Sequence, residues 1–362
     1  MAFAGLLSRP LPVGWTTEEI VEPVLLRACR GERVDHVPVW FMRQAGRSLP
    51  EYRALRGTGS ILEAIADPAV AAEVTLQPVR RYGVDAAILF SDIVVPYHAI
   101  GVGVDVVPGR GPVVERPLRS RADLDRLRDL AASDVAHVTA TVDRVVAELS
   151  PDTPLIGFAG APFTVASYLV EGAPSRDFVN VKGLMHRDPA LFAAMSDRLV
   201  EITIAFLRLQ VAHGARALQL FDSWAGSLSR DEYRRFALEP TQRVLEGVAD
   251  LGVPTILFGV GTGELLDLMA SAGSDVVGVD WRVDLDTARG RVGDHAVQGN
   301  LDPARCVSDV DLGVAAAREV LARAGTAPGH VFNLGHGVLP STDPAVLEAI
   351  VRVVHDEGRA GV

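Results

Sequence analysis

Cysteine is scarce in this chain of 362 residues: only Cys29 and Cys306 occur, far apart and with no pairing pattern. Neither has a histidine or a second cysteine at metal-ligand spacing beside it, which excludes a disulfide scaffold and a cysteine-built zinc site. Both read as buried free thiols of a reducing cytosol. Positive charge is also short, with 35 Lys and Arg against 46 Asp and Glu and a formal net charge of -11. Such a surface repels nucleic acid and anionic membrane, so neither is an expected partner. Any anionic ligand must then meet a local concentration of cations. No apolar run approaches the ~18 residues of a membrane span, and the N-terminus has no basic stretch followed by an apolar one. A soluble cytoplasmic protein is expected. No linker or low-complexity tract marks a domain boundary.

What is present is a large core, with 48% hydrophobic and 22% charged residues. Eight short, almost continuously apolar segments predict strands at 37–42, 86–91, 154–160, 217–223, 255–260, 276–281, 296–301 and 331–335. Between them, apolar residues recurring at three and four predict helices at 61–82, 122–149, 183–213, 230–251, 264–272, 285–291, 312–324 and 344–357. Strands apolar on both faces belong to a parallel sheet covered by helices. Eight βα units therefore predict an α/β fold, a single TIM-type (β/α)8 barrel spanning 1–362. An N-terminal helical extension is expected over 1–34, with a helix capped by Thr16-Thr17-Glu18-Glu19 and stopped at Gly31. The valines, glycines and prolines of 101–117 predict a β-hairpin insertion after the second strand.

Barrels of this kind build their sites at the carboxyl ends of the strands. The first strand runs into Phe41-Met42-Arg43-Gln44-Ala45-Gly46-Arg47, where a glycine hinge lets two guanidiniums four residues apart face one anion. Arg53 and Arg56 could extend the patch. The alternative is a set of surface arginines bridging to helix carboxylates. The second strand ends in Phe90-Ser91-Asp92, a carboxylate in an apolar run that needs a cation or several donors; it either serves a ligand or caps a loop. The third leads to Tyr168, the fourth ends in Asp222-Ser223, and the eighth ends in Asn333-Leu334-Gly335-His336-Gly337. Glycines on both sides of His336 allow close backbone approach to a ligand, although a lone barrel histidine is usually just hydrogen-bonded. Gly259-Val260-Gly261-Thr262-Gly263 lacks the lysine and spacing of a phosphate loop and reads as a tight turn.

Two composition-rich stretches carry a family resemblance: Pro38-Val39-Trp40-Phe41-Met42-Arg43-Gln44-Ala45-Gly46-Arg47 with Leu49-Pro50-Glu51-Tyr52-Arg53, and Gly157-Phe158-Ala159-Gly160-Ala161-Pro162-Phe163-Thr164 with Tyr168-Leu169-Val170-Glu171-Gly172. Phe90-Ser91-Asp92-Ile93, Gln219-Leu220-Phe221-Asp222-Ser223 and the His336 motif follow in order. Over essentially its whole length the chain resembles the uroporphyrinogen decarboxylase family, departing from it at Ser48, where many members carry tyrosine. The resemblance implies a single (β/α)8 barrel, usually a homodimer with facing clefts. It also implies decarboxylation, without cofactor or metal, of the four acetates of uroporphyrinogen III to give coproporphyrinogen III. Asp92 falls on the carboxylate that meets the four pyrrole N–H groups. Arg43, Arg47, Arg56, Phe90, Tyr168, Ser223 and His336 fall on substrate-binding positions, and Phe221 packs on the ring. Arg43 is the family's candidate proton donor, although a guanidinium with a pKa above ~12 is a poor acid without a relay.

Two other readings compete. Corrinoid or zinc-dependent methyltransferases share this barrel but need metal-bound thiolates, and Ala304 stands where a histidine would accompany Cys306. A tetrapyrrole carrier without catalysis would use the same pocket.

Overall fold

The computed structural model describes residues 22–359 apart from 58, 108 and 308. Its frame is a parallel sheet in the order β1-β4-β5-β6-β7-β8-β9. The strands are β1 (Ala87–Ile88), β4 (Leu155–Gly160), β5 (Ala217–Asp222), β6 (Thr255–Gly259), β7 (Val276–Gly278), β8 (Ala296–Gln298) and β9 (His330–Val331). Every residue of β4, β6, β7 and β8 is buried, as expected of strands covered on both faces. A separate antiparallel ribbon pairs β2 (Val104–Val107) with β3 (Gly111–Val114). Among the described residues, no helix is long and apolar enough to cross a membrane.

The ladder has seven strands where the sequence predicts eight, because 37–42 makes only a single parallel bridge, Val39 to Phe332. Pro38 has no N–H, and the Val39 N–H is taken by the Asp85 carboxylate at 2.7 Å. The segment still bonds on both sides. Trp40 N–H donates to the Phe332 carbonyl, Phe332 N–H to Pro38, and Asp85 N–H to Val39. Inside the sheet the Trp40 indole N–H donates to Gln298 at 3.0 Å, whose amide donates to Gln219 at 2.9 Å.

Two predicted helices break in the middle for one reason. At 61–82 the chain forms Ile61–Ala66 and Pro68–Tyr82, and at 183–213 it forms Val179–Arg187 and Pro189–Ala212. Asp67 and Asp188 each precede a proline, which disfavours helical backbone before it, and each caps the helix that follows. Segment 122–149 keeps only Ala136–Glu148 as α-helix, after two 3₁₀ turns. Segment 230–251 holds a π turn at Tyr233–Ala237 before Leu238–Glu246. The sequence reading has no counterpart for Pro50–Arg56, Val95–Ala99 or Pro162–Glu171, three short helices that start beside a proline. The cap expected at 16–19 lies outside the described residues; the described helix there is Val24–Cys29.

At the amino end of the sheet, Asp85 joins three distant segments. Its carboxylate meets His36 Nε2 and His355 Nε2, each at 2.9 Å, besides the Val39 N–H. The hydrogen bond to Asp85 raises the His36 pKa. Burial alone would raise the Asp85 pKa, but the two imidazoles and the Val39 N–H hold it below its ordinary value. A raised histidine stabilises below ~6.5 and stops doing so as pH rises through its folded pKa. A depressed carboxylate stabilises above ~4 and stops as pH falls. The clasp is therefore strongest between those limits. Asp85→Asn should lower unfolding free energy by about 2 kcal/mol near the middle of that window and by less at either side. Urea melts of both proteins across pH check this, and a pH-independent difference would show that the charges contribute nothing.

Candidate active site

The loop after Val39 is shaped by its own side chains. Gln44 is buried; its Oε1 accepts the Phe41 N–H at 3.0 Å and its Nε2 donates to the Ala86 carbonyl at 2.9 Å, tying the loop to β1. Asn333 Oδ1 accepts the N–H groups of Met42 at 3.0 Å and Leu334 at 2.8 Å, tying the same loop to the end of β9. Three residues take left-handed backbone here: Gly46 at φ 101°, Arg43 at 63° and Arg47 at 33°. Glycine adopts this freely, whereas each arginine is held there at a cost of about 1–3 kcal/mol. Strain at both predicted cations, with surroundings that enforce it, marks a built site.

Arg43 and Arg47 have large accessible surfaces, yet protein atoms surround them closely enough for burial to lower both pKa values, Arg47 to about 10. Those two facts describe a cleft. Arg43 adds to the lowering at Arg47, and Asp92 opposes it at both. Among the described residues neither side chain makes a hydrogen bond or a salt bridge, so their donors face the cleft uncommitted. Both stay protonated at neutral pH.

Asp92 caps the loop that follows it. Oδ1 accepts the Val94 N–H at 3.0 Å, the turn that opens Val95–Ala99, and the Ile93 N–H also bonds to the carboxylate. Burial raises its pKa, against the Val94 N–H, Arg43 and Arg47. Tyr168 lies on Pro162–Glu171 and feels both Asp92 and Arg43; burial pushes its phenol up to about 12. Its ring meets Trp224 edge-on at 5.7 Å. Ser223 lies between Trp224 and the buried Asp222, whose Oδ1 accepts the Thr164 hydroxyl at 2.7 Å. Thr164 in turn accepts the Trp224 N–H at 3.0 Å, which fixes the loop after β5.

His336 is neutral. Burial first, then Arg43, Arg47 and Arg282, push its pKa down to about 4. Its ring is the end of an aromatic arc, with Phe158 to Phe221 at 5.4 Å, Phe221 to Phe258 at 6.1 Å and Phe258 to His336 at 6.4 Å. Trp281 stacks on its other side at 6.2 Å, 7° from parallel. Phe90 is buried edge-on to Tyr52 at 5.7 Å. Arg56 lies over the Tyr52 ring at 5.9 Å and donates to the Gly59 carbonyl at 3.0 Å, so it joins the group only through Tyr52 and Phe90. Trp224, Phe258, Trp281 and Arg282 are not among the sequence-predicted residues. The ending Asp280-Trp281-Arg282 of predicted strand 276–281 carries the signal for two of them.

Arginines and one carboxylate that act on one another beside an arc of aromatic rings, at the ends of a curled parallel sheet, define a TIM-barrel-like α/β protein. The family model of uroporphyrinogen decarboxylase (URO-D) matches residues 22–357. The uroporphyrinogen decarboxylase of Salinispora tropica is 58% identical over 332 residues, 91% of this chain and 89% of that protein. That of Streptomyces coelicolor is 56% identical over 347 residues, 96% and 98% of the two chains. This chain belongs to the uroporphyrinogen decarboxylase family. A methyltransferase from Methanosarcina mazei shares the fold at 22% identity, with a TM-score of 0.74 over 91% of this chain and 96% of that one.

Gly337 makes room for Arg43: a Cβ there would overlap Arg43 Cδ and stand 2.7 Å from Cγ. Gly337→Ala should displace the guanidinium and weaken polycarboxylate binding at least about tenfold, with little change in melting temperature. Unchanged binding in a titration would show that the position of Arg43 does not matter.

Proposed function

We propose that this chain decarboxylates the four acetate side chains of uroporphyrinogen III to methyl groups, giving coproporphyrinogen III. The observation that carries the reading is the uncommitted pair Arg43 and Arg47 facing Asp92 in one cleft of an acidic protein. The substrate has eight carboxylates, and its four pyrrole N–H groups converge at the centre of the ring. Arginines, with neutral His336 and the hydroxyls of Tyr168 and Ser223, suit the rim of such a molecule; a lone carboxylate suits its centre. The rings of Phe221 and Phe90 suit its apolar face, and Arg56 its periphery.

Each cycle exchanges one CO₂ for one proton. Protonation of the pyrrole at carbon creates an iminium cation; the bond to CO₂ breaks and its electron pair neutralises the cation. The exocyclic methylene then takes a proton and becomes methyl, and the ring carbon releases the proton it first accepted, which restores the pyrrole and leaves one proton gained for each CO₂ lost. The substrate is its own electron sink, so the proposed reaction uses no cofactor. Asp92 stabilises the cation electrostatically while keeping its own charge. Arg43 binds substrate first. Its lowered pKa also brings it nearer to proton transfer, through water or a substrate carboxylate.

This reading takes 1–362 as one domain, the segment around Val39 as the eighth stave of a closed barrel, and the β2–β3 ribbon as an insertion. It makes the protein a cytoplasmic homodimer with facing clefts. A thiolate-dependent methyltransferase is disfavoured by the cysteines: both are buried, and burial pushes each thiol up to about 12.

Anaerobic incubation with uroporphyrinogen III should yield coproporphyrinogen III; unchanged octacarboxylate at high enzyme concentration would favour a carrier. Asp92→Gly should lose nearly all turnover without loss of stability, since burial already penalises its charge. Near-normal turnover would remove Asp92 from the mechanism. Arg47→Ala should weaken binding of the octacarboxylate more than of later, less charged intermediates, as followed by KM for each; equal losses would count against its role.

A further inference from the structure

A second cationic wall stands at the end of β7. Asp280 is buried there, and its Oδ1 accepts the Arg282 N–H at 3.0 Å. Its Oδ2 accepts Nη1 of Arg282 at 2.7 Å and also the Gly261 N–H of the turn after β6. The guanidinium carbon lies over Trp281, 3.9 Å from the ring centroid, and Trp281 stacks on His336. Asn300 Nδ2 pins the same turn through the carbonyls of Asp280 at 2.9 Å and Val283 at 2.6 Å. This cation is therefore held on two sides, by a buried carboxylate and by an indole.

Its remaining edge is free. Half of the Arg282 side chain stays exposed, and Nε and Nη2 have no partner among the described residues. A guanidinium needed only to neutralise Asp280 would not also have to be stacked beside His336. The depressed pKa of His336 registers Arg282 together with Arg43 and Arg47, which places all three cations around one imidazole. Eight ligand carboxylates exceed what Arg43 and Arg47 can take in pairs.

We propose that Arg282 is a further substrate-binding residue, its free guanidinium edge taking a peripheral carboxylate of the macrocycle on the β7 wall; this rests on the polycarboxylate reading of the cleft. The probe is uroporphyrin, the oxidised octacarboxylate that cannot be decarboxylated, followed by fluorescence titration at low and moderate ionic strength. The native protein should bind it, and Arg282→Gln should bind roughly tenfold more weakly, the size of one charge-assisted hydrogen bond. The loss should shrink as salt rises, because an exposed cation is screened. Arg282→Lys keeps a charge for Asp280 without the planar second edge and should fall between the two, which preserves the test if the glutamine variant folds poorly. With the porphyrinogen, KM should rise about tenfold in Arg282→Gln while kcat changes less than about twofold.

Equal affinity of native protein and Arg282→Gln would overturn the role of Arg282 and leave the cleft's function standing. A loss of the same factor at every salt concentration would also overturn it, since that marks a merely structural role. Failure of the native protein to bind uroporphyrin would instead overturn the underlying reading, and the proposal with it.

Discussion

Two guanidiniums facing one carboxylate in a confined cleft are the condition around which this molecule is arranged. Arg43 and Arg47 repel each other, and Asp92 offsets only part of that repulsion. The group keeps an excess of positive charge that the protein's own side chains leave unanswered. Holding it requires the left-handed backbone of both arginines, the Gln44 and Asn333 hydrogen bonds that brace their loop, and the bare Cα of Gly337 beneath Arg43. An excess maintained at such expense in strain is what the proposed polycarboxylate reading explains.

Much of this site was legible because barrel chemistry gathers at strand ends. Arg43, Asp92, Tyr168, Ser223 and His336 each follow a recognisable apolar run, and all but Ser223 act on one another electrostatically in the structure. Asp280-Trp281-Arg282 obeys the same rule but has no flanking glycine and no isolated charge in an apolar run, so local pattern gave it no emphasis. The helix breaks at Asp67-Pro68 and Asp188-Pro189 were present in the letters, yet apolar periodicity runs through both. The loss of a regular first strand was not local at all. It depends on Asp85 taking the Val39 N–H, a bond between residues 46 apart in sequence. The Asp85 clasp was hidden for the same reason, since His355 reaches it from 270 residues away.

Likeness of fold and likeness of chemistry separate clearly here. The methyltransferase from Methanosarcina mazei superposes along nearly the whole chain at 22% identity. A parallel sheet wrapped by helices fixes where a site sits but leaves its side chains open. In this protein the loop ends supply arginines, aromatic rings and one carboxylate, while both thiols lie buried in the core.

Arg43 lying across Gly337 also constrains the making of the protein. Met42 and Asn333, the neighbours that fix this contact, are 291 residues apart. During synthesis the strands emerge and pair in order, yet the first wall of the cleft must wait for almost the last. Until then the sheet has two open edges, at β1 and at β9, the condition in which nascent β structure is most exposed to mispairing. A chain released before residue 333 would carry most of its core and the Gln44 brace, but not the Asn333 bond that ties the Arg43 loop to the end of β9. The loop that carries Arg43 therefore takes its final position only when almost the last of the sheet has formed.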